Sequence, residues 1–149
     1  KKVMMMLPPI SFESILFYGV DKVGAAISEV PIQTTTDDLI NKINKLDMSM
    51  LFISDFLLTE EAEKEIYEKT GVTNIVVIGN KEYKDERTIS WNQFIENGKD
   101  IVLPNIERNP EDLLFIASTG GSTGEPKSVM LNDECFNIAV HQYLNSLQM

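Results

Sequence analysis

Apolar residues fall along this chain in two alternating forms, short uninterrupted runs and stripes at helical spacing. Val3 to Leu7 is a run that reads as a buried strand, stopped by Pro8-Pro9. Ser11 reads as the cap of a helix whose Phe12, Ile15, Leu16, Val20 and Val23 recur at helical spacing, with Gly24 as its C-terminal stop. Ala25 to Val30 returns as a short strand ended by Pro31. Thr35 or Thr36 caps a second helix: Asp37 and Asp38 suit the positive end of its dipole, and Leu39, Ile40, Ile43 and Leu46 form its inner face. Met50 to Ile53 is the next strand, Thr59 through Lys69 the next helix with Gly71 after it, and Ile75 to Ile78 an unbroken β-branched run. Such a run is expected of a strand covered on both faces.

Alternation of this kind predicts an α/β fold: a doubly wound, mostly parallel sheet with helices on both faces and right-handed crossovers. Past Gly79 the chain turns polar, and Asn80 to Arg87 reads as a surface loop. Trp91, Phe94 and Ile95 share one face of a short helix ending at Gly98, with Trp91 as its packing anchor. Asn105 to Asp112 is a linker carrying Pro110. Asn132 to Met149 has apolar positions at Phe136, Val140, Tyr143, Leu144 and Leu147 and reads as a helix packed on the rest. The expected organisation is a flavodoxin-like layer over residues 1–104, then a linker, a loop hairpin and a helix over 105–149. The abrupt start at Lys1-Lys2 and the absence of a stop signal at the end point to a piece excised from a longer protein.

Composition narrows the classes. The 149 residues carry a net charge of −10 from 23 acidic and 13 basic side chains, and such a surface repels a nucleic-acid backbone. One cysteine, Cys135, can form neither an internal disulfide nor a zinc site, which fits a reducing cytoplasm, and it is expected in the core. His141, the one histidine, has no partners for triad or metal chemistry. The longest apolar run is far too short to span a bilayer, and no secretory signal is visible.

The chemistry concentrates in Ala117 to Leu131, where small and hydroxylated residues from Ser118 to Thr123 separate two apolar runs. A plain turn satisfies glycine and serine, but strand connections usually need about two to five residues, and Ser118 to Pro126 is longer and ends beside Lys127. Free N–H groups, hydroxyls and one cation are what a phosphate requires. The Walker loop is excluded because Pro126 stands where its glycine must precede the lysine, and Pro126 turns the following residues into a strand. The dinucleotide fingerprint fails on its glycine spacing.

What fits is Thr119-Gly120-Gly121-Ser122-Thr123-Gly124-Glu125-Pro126-Lys127-Ser128-Val129, which closely resembles the phosphate-binding signature of the adenylate-forming (AMP-binding) superfamily of acyl-CoA synthetases, luciferases and peptide-synthetase adenylation domains. Gly120 and Ser128 replace the commoner Ser and Gly. Upstream, Leu7-Pro8-Pro9 and Lys22-Val23-Gly24-Ala25 through Pro31 resemble two further family segments, departing at Pro9 and Glu29, and Ile89-Ser90-Trp91 through Gly98 looks like the helix before the family's loop. Asn132-Asp133-Glu134-Cys135 replaces a Thr-His-x-Asn pattern, so no histidine acts there.

The resemblance implies a fragment of a cytoplasmic ligase that uses ATP and Mg2+ to turn a carboxylic acid into an acyl adenylate and pyrophosphate. The acyl group then passes to a thiol of coenzyme A or of a carrier protein's phosphopantetheine. It implies that Thr119, Gly120, Gly121, Ser122, Thr123, Gly124 and Lys127 hold the ATP phosphates. The catalytic and magnesium-binding residues and the C-terminal domain are expected in the remainder of the parent chain, leaving the fragment inactive alone. Two rivals stand beside it: a stand-alone flavodoxin-like anion-binding or regulatory module, and a phosphoryl-transfer NTPase, against which Pro126 speaks.

Overall fold

A computed structural model describes residues 1–103, 105–119 and 127–147. Chain order is β1 (Lys2–Met6), α1 (Ser11–Lys22), β2 (Ala26–Glu29), α2 (Thr36–Leu46), β3 (Met50–Ser54), a 3-10 turn (Asp55–Leu57), α3 (Glu60–Lys69), β4 (Asn74–Ile78), β5 (Thr88–Ser90), α4 (Trp91–Gly98), β6 (Leu113–Ser118), β7 (Ser128–Asn132) and α5 (Asp133–Ser146). The strands form one seven-stranded sheet in the order β5-β4-β3-β1-β2-β6-β7, parallel except where β7 runs against β6. Among β1 to β5 this is the flavodoxin-type order, reversing direction between β1 and β3. The chain is therefore the doubly wound α/β protein that its alternating pattern predicts.

Side-chain alternation divides the core into two layers. Met4, Met6, Leu51, Ile53, Ile75, Val77 and Ile116 face α2 and α3, where Leu39, Ile40, Ile43, Leu46, Ala62 and Ile66 meet them. Val3, Met5, Ile27, Phe52, Val76 and Ile78 face the other way, against Leu16 and Val20 of α1 and the half-buried Trp91 and Phe94 of α4. Trp91 is the anchor expected, its ring edge-on to Phe12 at 5.1 Å. Ile95 does not share the inward face and is half exposed.

Local chemistry accounts for most boundaries. Thr35 is the cap of α2 and Thr59 of α3, each hydroxyl accepting the backbone N–H three residues on, from Asp38 and Ala62. Gly24, at φ +67°, takes the left-handed conformation that ends α1. Ser11 is not a cap: Ile10 holds that position with no side-chain bond, because the chain leaving Pro8-Pro9 enters the helix one residue earlier. β5 lies where a polar loop was expected to run directly into a helix; three residues on a sheet edge are too few to show alternation.

The end of the chain departs most from expectation. Of the apolar positions on α5, Phe136 packs between Phe17 and Phe115, at 5.4 and 5.8 Å, while Val140, Tyr143, Leu144 and Leu147 are exposed. Cys135 is exposed rather than in the core, since it stands about 100° round the helix from the one inward side chain. Among the described residues no helix is long and apolar enough to cross a membrane.

Candidate functional site

In a parallel sheet every strand points its carboxyl end to the same edge, and ligands bind outside that edge. β6 is parallel to β2, so the segment after Ser118 leaves the sheet there, beside the loops that follow β1, β2 and β3. The chain returns as β7, with Ser118 paired to Ser128, Ala117 to Val129 and Ile116 to Met130. The loop is thus carried on a hairpin. Gly120, Gly121, Ser122, Thr123 and Gly124 lie outside the described residues; Thr119 and Lys127, its two ends, do not.

Those ends are clasped. Thr119 donates its backbone N–H to the Lys127 carbonyl at 2.9 Å. Its hydroxyl donates to the same carbonyl at 3.2 Å and accepts the Lys127 N–H at 3.1 Å. The hydroxyl of Thr119 therefore closes the neck of the loop. Thr119 and Lys127 are both exposed, so the lysine ammonium stands in solvent at the mouth.

The two sides of this hairpin differ in chemistry. Toward α2, a cavity of about 320 Å³ is bordered by Thr34, Asp38, Asn41, Lys42, Lys45, Ser118 and Ser128, a polar set in which one carboxylate stands beside two ammoniums. Toward α1, a groove holds Glu13 and Glu29 beside Phe17, Phe115 and Phe136. Burial, then the neighbouring Glu29 charge, raises the Glu13 carboxyl above its ordinary value, the mark of a place that disfavours further negative charge. Among the described residues no group of three or more His, Cys, Asp or Glu could hold a metal ion.

Lys42 carries no sequence signal for a place beside this hairpin, because only the fold brings α2 against its base, whereas Ser118 and Ser128 lie in the stretch that the sequence singles out. Arg108, read as part of an undistinguished linker, donates to the backbone carbonyls of Asp21 and Ala25, more than eighty residues away, and to that of Leu113. Its hydrogen-bond partners are main-chain oxygens, which no side-chain pattern announces.

Comparison with known proteins agrees with the geometry. Acetyl-coenzyme A synthetase of Novosphingobium aromaticivorans is 24% identical in an alignment covering 97% of this chain and 24% of that protein. 4-Coumarate-CoA ligase 1 of Narcissus pseudonarcissus is 26% identical, over 96% of this chain and 25% of its own length. Among solved structures, a long-chain-fatty-acid-CoA ligase (FadD1) from Archaeoglobus fulgidus superposes with a TM-score of 0.74 and 28% identity, over 94% of this chain and 26% of that one. MbtA of Mycobacterium smegmatis shares the fold at a TM-score of 0.77 and 18% identity, over 91% of this chain and 25% of its own. The chain thus spans about a quarter of the length of these relatives. Residues 1–146 match the family described as AMP-binding enzyme, and the chain belongs to that family.

Proposed function

We propose that this chain supplies the ATP phosphate-binding part of a ligase that activates a carboxylic acid as its acyl adenylate and then forms a thioester with coenzyme A or a carrier-protein thiol. The observation that carries the reading is the clasped loop between β6 and β7 at the carboxyl edge of the sheet, with Lys127 at its mouth. In adenylate formation a carboxylate oxygen attacks the α-phosphorus and the bond to the β-phosphate breaks. Pyrophosphate leaves with growing negative charge. Donors fixed in advance around that charge stabilise it without reorganising.

The roles divide by position. Lys127 supplies the cation at the mouth; Gly120, Gly121, Ser122, Thr123 and Gly124 supply N–H groups and hydroxyls to the β- and γ-phosphates. Thr119 sets the neck, since its hydroxyl is committed to the Lys127 backbone. Magnesium enters with the nucleotide, where it neutralises phosphate charge, and its protein ligands lie beyond these residues. Because the chain spans a quarter of the relatives' length, the acid pocket and the thiol step belong to the rest of a longer protein, and the 149 residues alone bind MgATP weakly and do not turn over. A cytoplasmic setting, where ATP, magnesium and coenzyme A are available, completes the reading.

The flavodoxin-type order of β1 to β5 favours a second reading, an anion-binding or regulatory module without catalysis. Carboxylate-dependent exchange of labelled pyrophosphate into ATP separates the two: a ligase shows it and loses it on Lys127→Ala, whereas a module that binds MgATP shows none.

A further inference from the structure

The hairpin that carries the loop is joined to the rest of the sheet by a narrow seam. β6 pairs with β2 only at Ile27 with Phe115 and Ser28 with Ile116, while β3 and β4 pair from Met50 with Asn74 through Ser54 with Ile78. Backbone ladders this short do not fix a strand firmly, because each end can fray. Two side chains make up the difference, one at each end of β6.

Arg108 holds the beginning. Its Nη2 donates to the carbonyl of Leu113, the first residue of β6, at 2.9 Å. Its Nη1 donates to the carbonyls of Asp21, in the last turn of α1, at 3.0 Å and of Ala25, just before β2, at 3.2 Å. Nη1 also stands 2.9 Å from Asp21 Oδ1 as an ion pair, outside hydrogen-bond geometry, and the arginine side chain is 12% exposed. One planar fork therefore spans three elements, which a lysine ammonium cannot reproduce. Ser28 holds the far end: fully buried, its hydroxyl donates to the Ile116 carbonyl at 2.8 Å, two residues before Ser118 and the hairpin neck.

We infer that Arg108 and Ser28 are positioning residues which set where β6, and with it the hairpin neck at Thr119 and Lys127, stands against the sheet edge. The inference deepens the proposed function and rests on it for its catalytic consequence, but not for its structural one. Neither side chain touches a phosphate; both act by fixing the strand. A displacement of the loop by about 1 Å is enough to cost a catalytic site on the order of a hundredfold, so a loosened seam appears as a weaker grip on MgATP.

The test uses Arg108→Lys, Ser28→Ala and Ser28→Thr in the full-length protein, the last keeping the hydroxyl. Nitroxide labels at Ser128→Cys and Lys64→Cys, in a Cys135→Ser background, report the distance between the hairpin and α3 by electron–electron double resonance. Unlabelled variants give the KM for MgATP in pyrophosphate exchange. The expected result is a broadened or shifted distance distribution and a KM raised about tenfold for Arg108→Lys and less for Ser28→Ala, with Ser28→Thr restoring both. Unmoved distances in Arg108→Lys and Ser28→Ala overturn the inference, as does a defect in Ser28→Thr equal to that of Ser28→Ala. Moved distances in a protein whose wild type shows no exchange leave the positioning role standing and remove the ligase reading. Active exchange with unmoved distances does the reverse.

Discussion

β4 and β7 are both five-residue strands of one sheet, both rich in apolar side chains, and they have opposite fates. From Ile75 to Ile78 every residue of β4 is buried, whereas none of the five in β7 is, and Met130 is 71% exposed. β4 has parallel neighbours on both sides, with α3 over one face and α4 over the other; β7 is the antiparallel edge of the hairpin. The contrast extends outward. Around β4 lies a closed two-layer core, and around β7 lie the clasped loop and a helix held by Phe136. Stability is therefore concentrated in β1 to β5 and their helices, and the proposed chemistry at an edge that contributes little to it. Substitutions in the two regions should separate these quantities.

The widest separation is between two leucine-sized truncations. Ile66→Ala, at a fully buried position between α3 and the sheet, should lower unfolding free energy by about 2–5 kcal/mol in urea titration. Leu144→Ala on α5, 51% exposed, should change it by about 0.5 kcal/mol or less. Equal losses would show that α5 is packed after all.

Next comes the loop, where the order reverses. Lys127 is exposed and its side chain has no partner among the described residues, so Lys127→Ala should leave the urea midpoint in place while slowing pyrophosphate exchange about a hundredfold, the usual loss when one preorganised charge-stabilising group is removed.

A third comparison concerns how β3 and β4 are joined at the carboxyl edge. Gly79 sits at φ +150°, and a Cβ there would run into the Asp55 carboxylate, which accepts the Asn80 N–H at 2.8 Å. Gly79→Ala should cost about 1–3 kcal/mol and move Asp55, seen as displaced Asn80 and Asp55 resonances in heteronuclear NMR. Thr59→Ala, which removes the cap of α3, should cost about 1 kcal/mol.

The smallest effect is electrostatic. Hydrogen bonds from the Arg87 side chain and backbone hold the Asp85 carboxyl down to about 2. A depressed carboxyl contributes stability that is fully present above its unfolded value of about 4 and is lost as pH falls through its folded value. The stability difference between wild type and Asp85→Asn should therefore be constant above about pH 4 and shrink toward pH 2, a difference small because the pair is solvent-exposed.

How much of this was visible in the sequence follows the same division. The β-branched run at Ile75, the threonine caps and Gly24 act through their own neighbourhoods, so their roles can be read locally. Phe136 could be read as an inward residue, but not that Val140, Tyr143 and Leu144 lack a surface to meet, because an amphipathic stripe states a need and not its satisfaction. The loop was legible as a motif with Thr119 inside it; that the Thr119 hydroxyl meets the Lys127 backbone depends on the hairpin register. Ser28 and Arg108 gave no signal, since each acts on carbonyls brought near only by the sheet order, 88 and 87 residues apart in the chain.

The most direct test of the central claim is carboxylate-dependent exchange of labelled pyrophosphate into ATP by the full-length protein, offered pools of fatty, aromatic and amino acids, with Lys127→Ala beside it. The account predicts exchange with one pool and its near loss in the variant at unchanged urea midpoint. Silence with every pool from a folded protein that binds MgATP, or exchange that Lys127→Ala leaves intact, would contradict it.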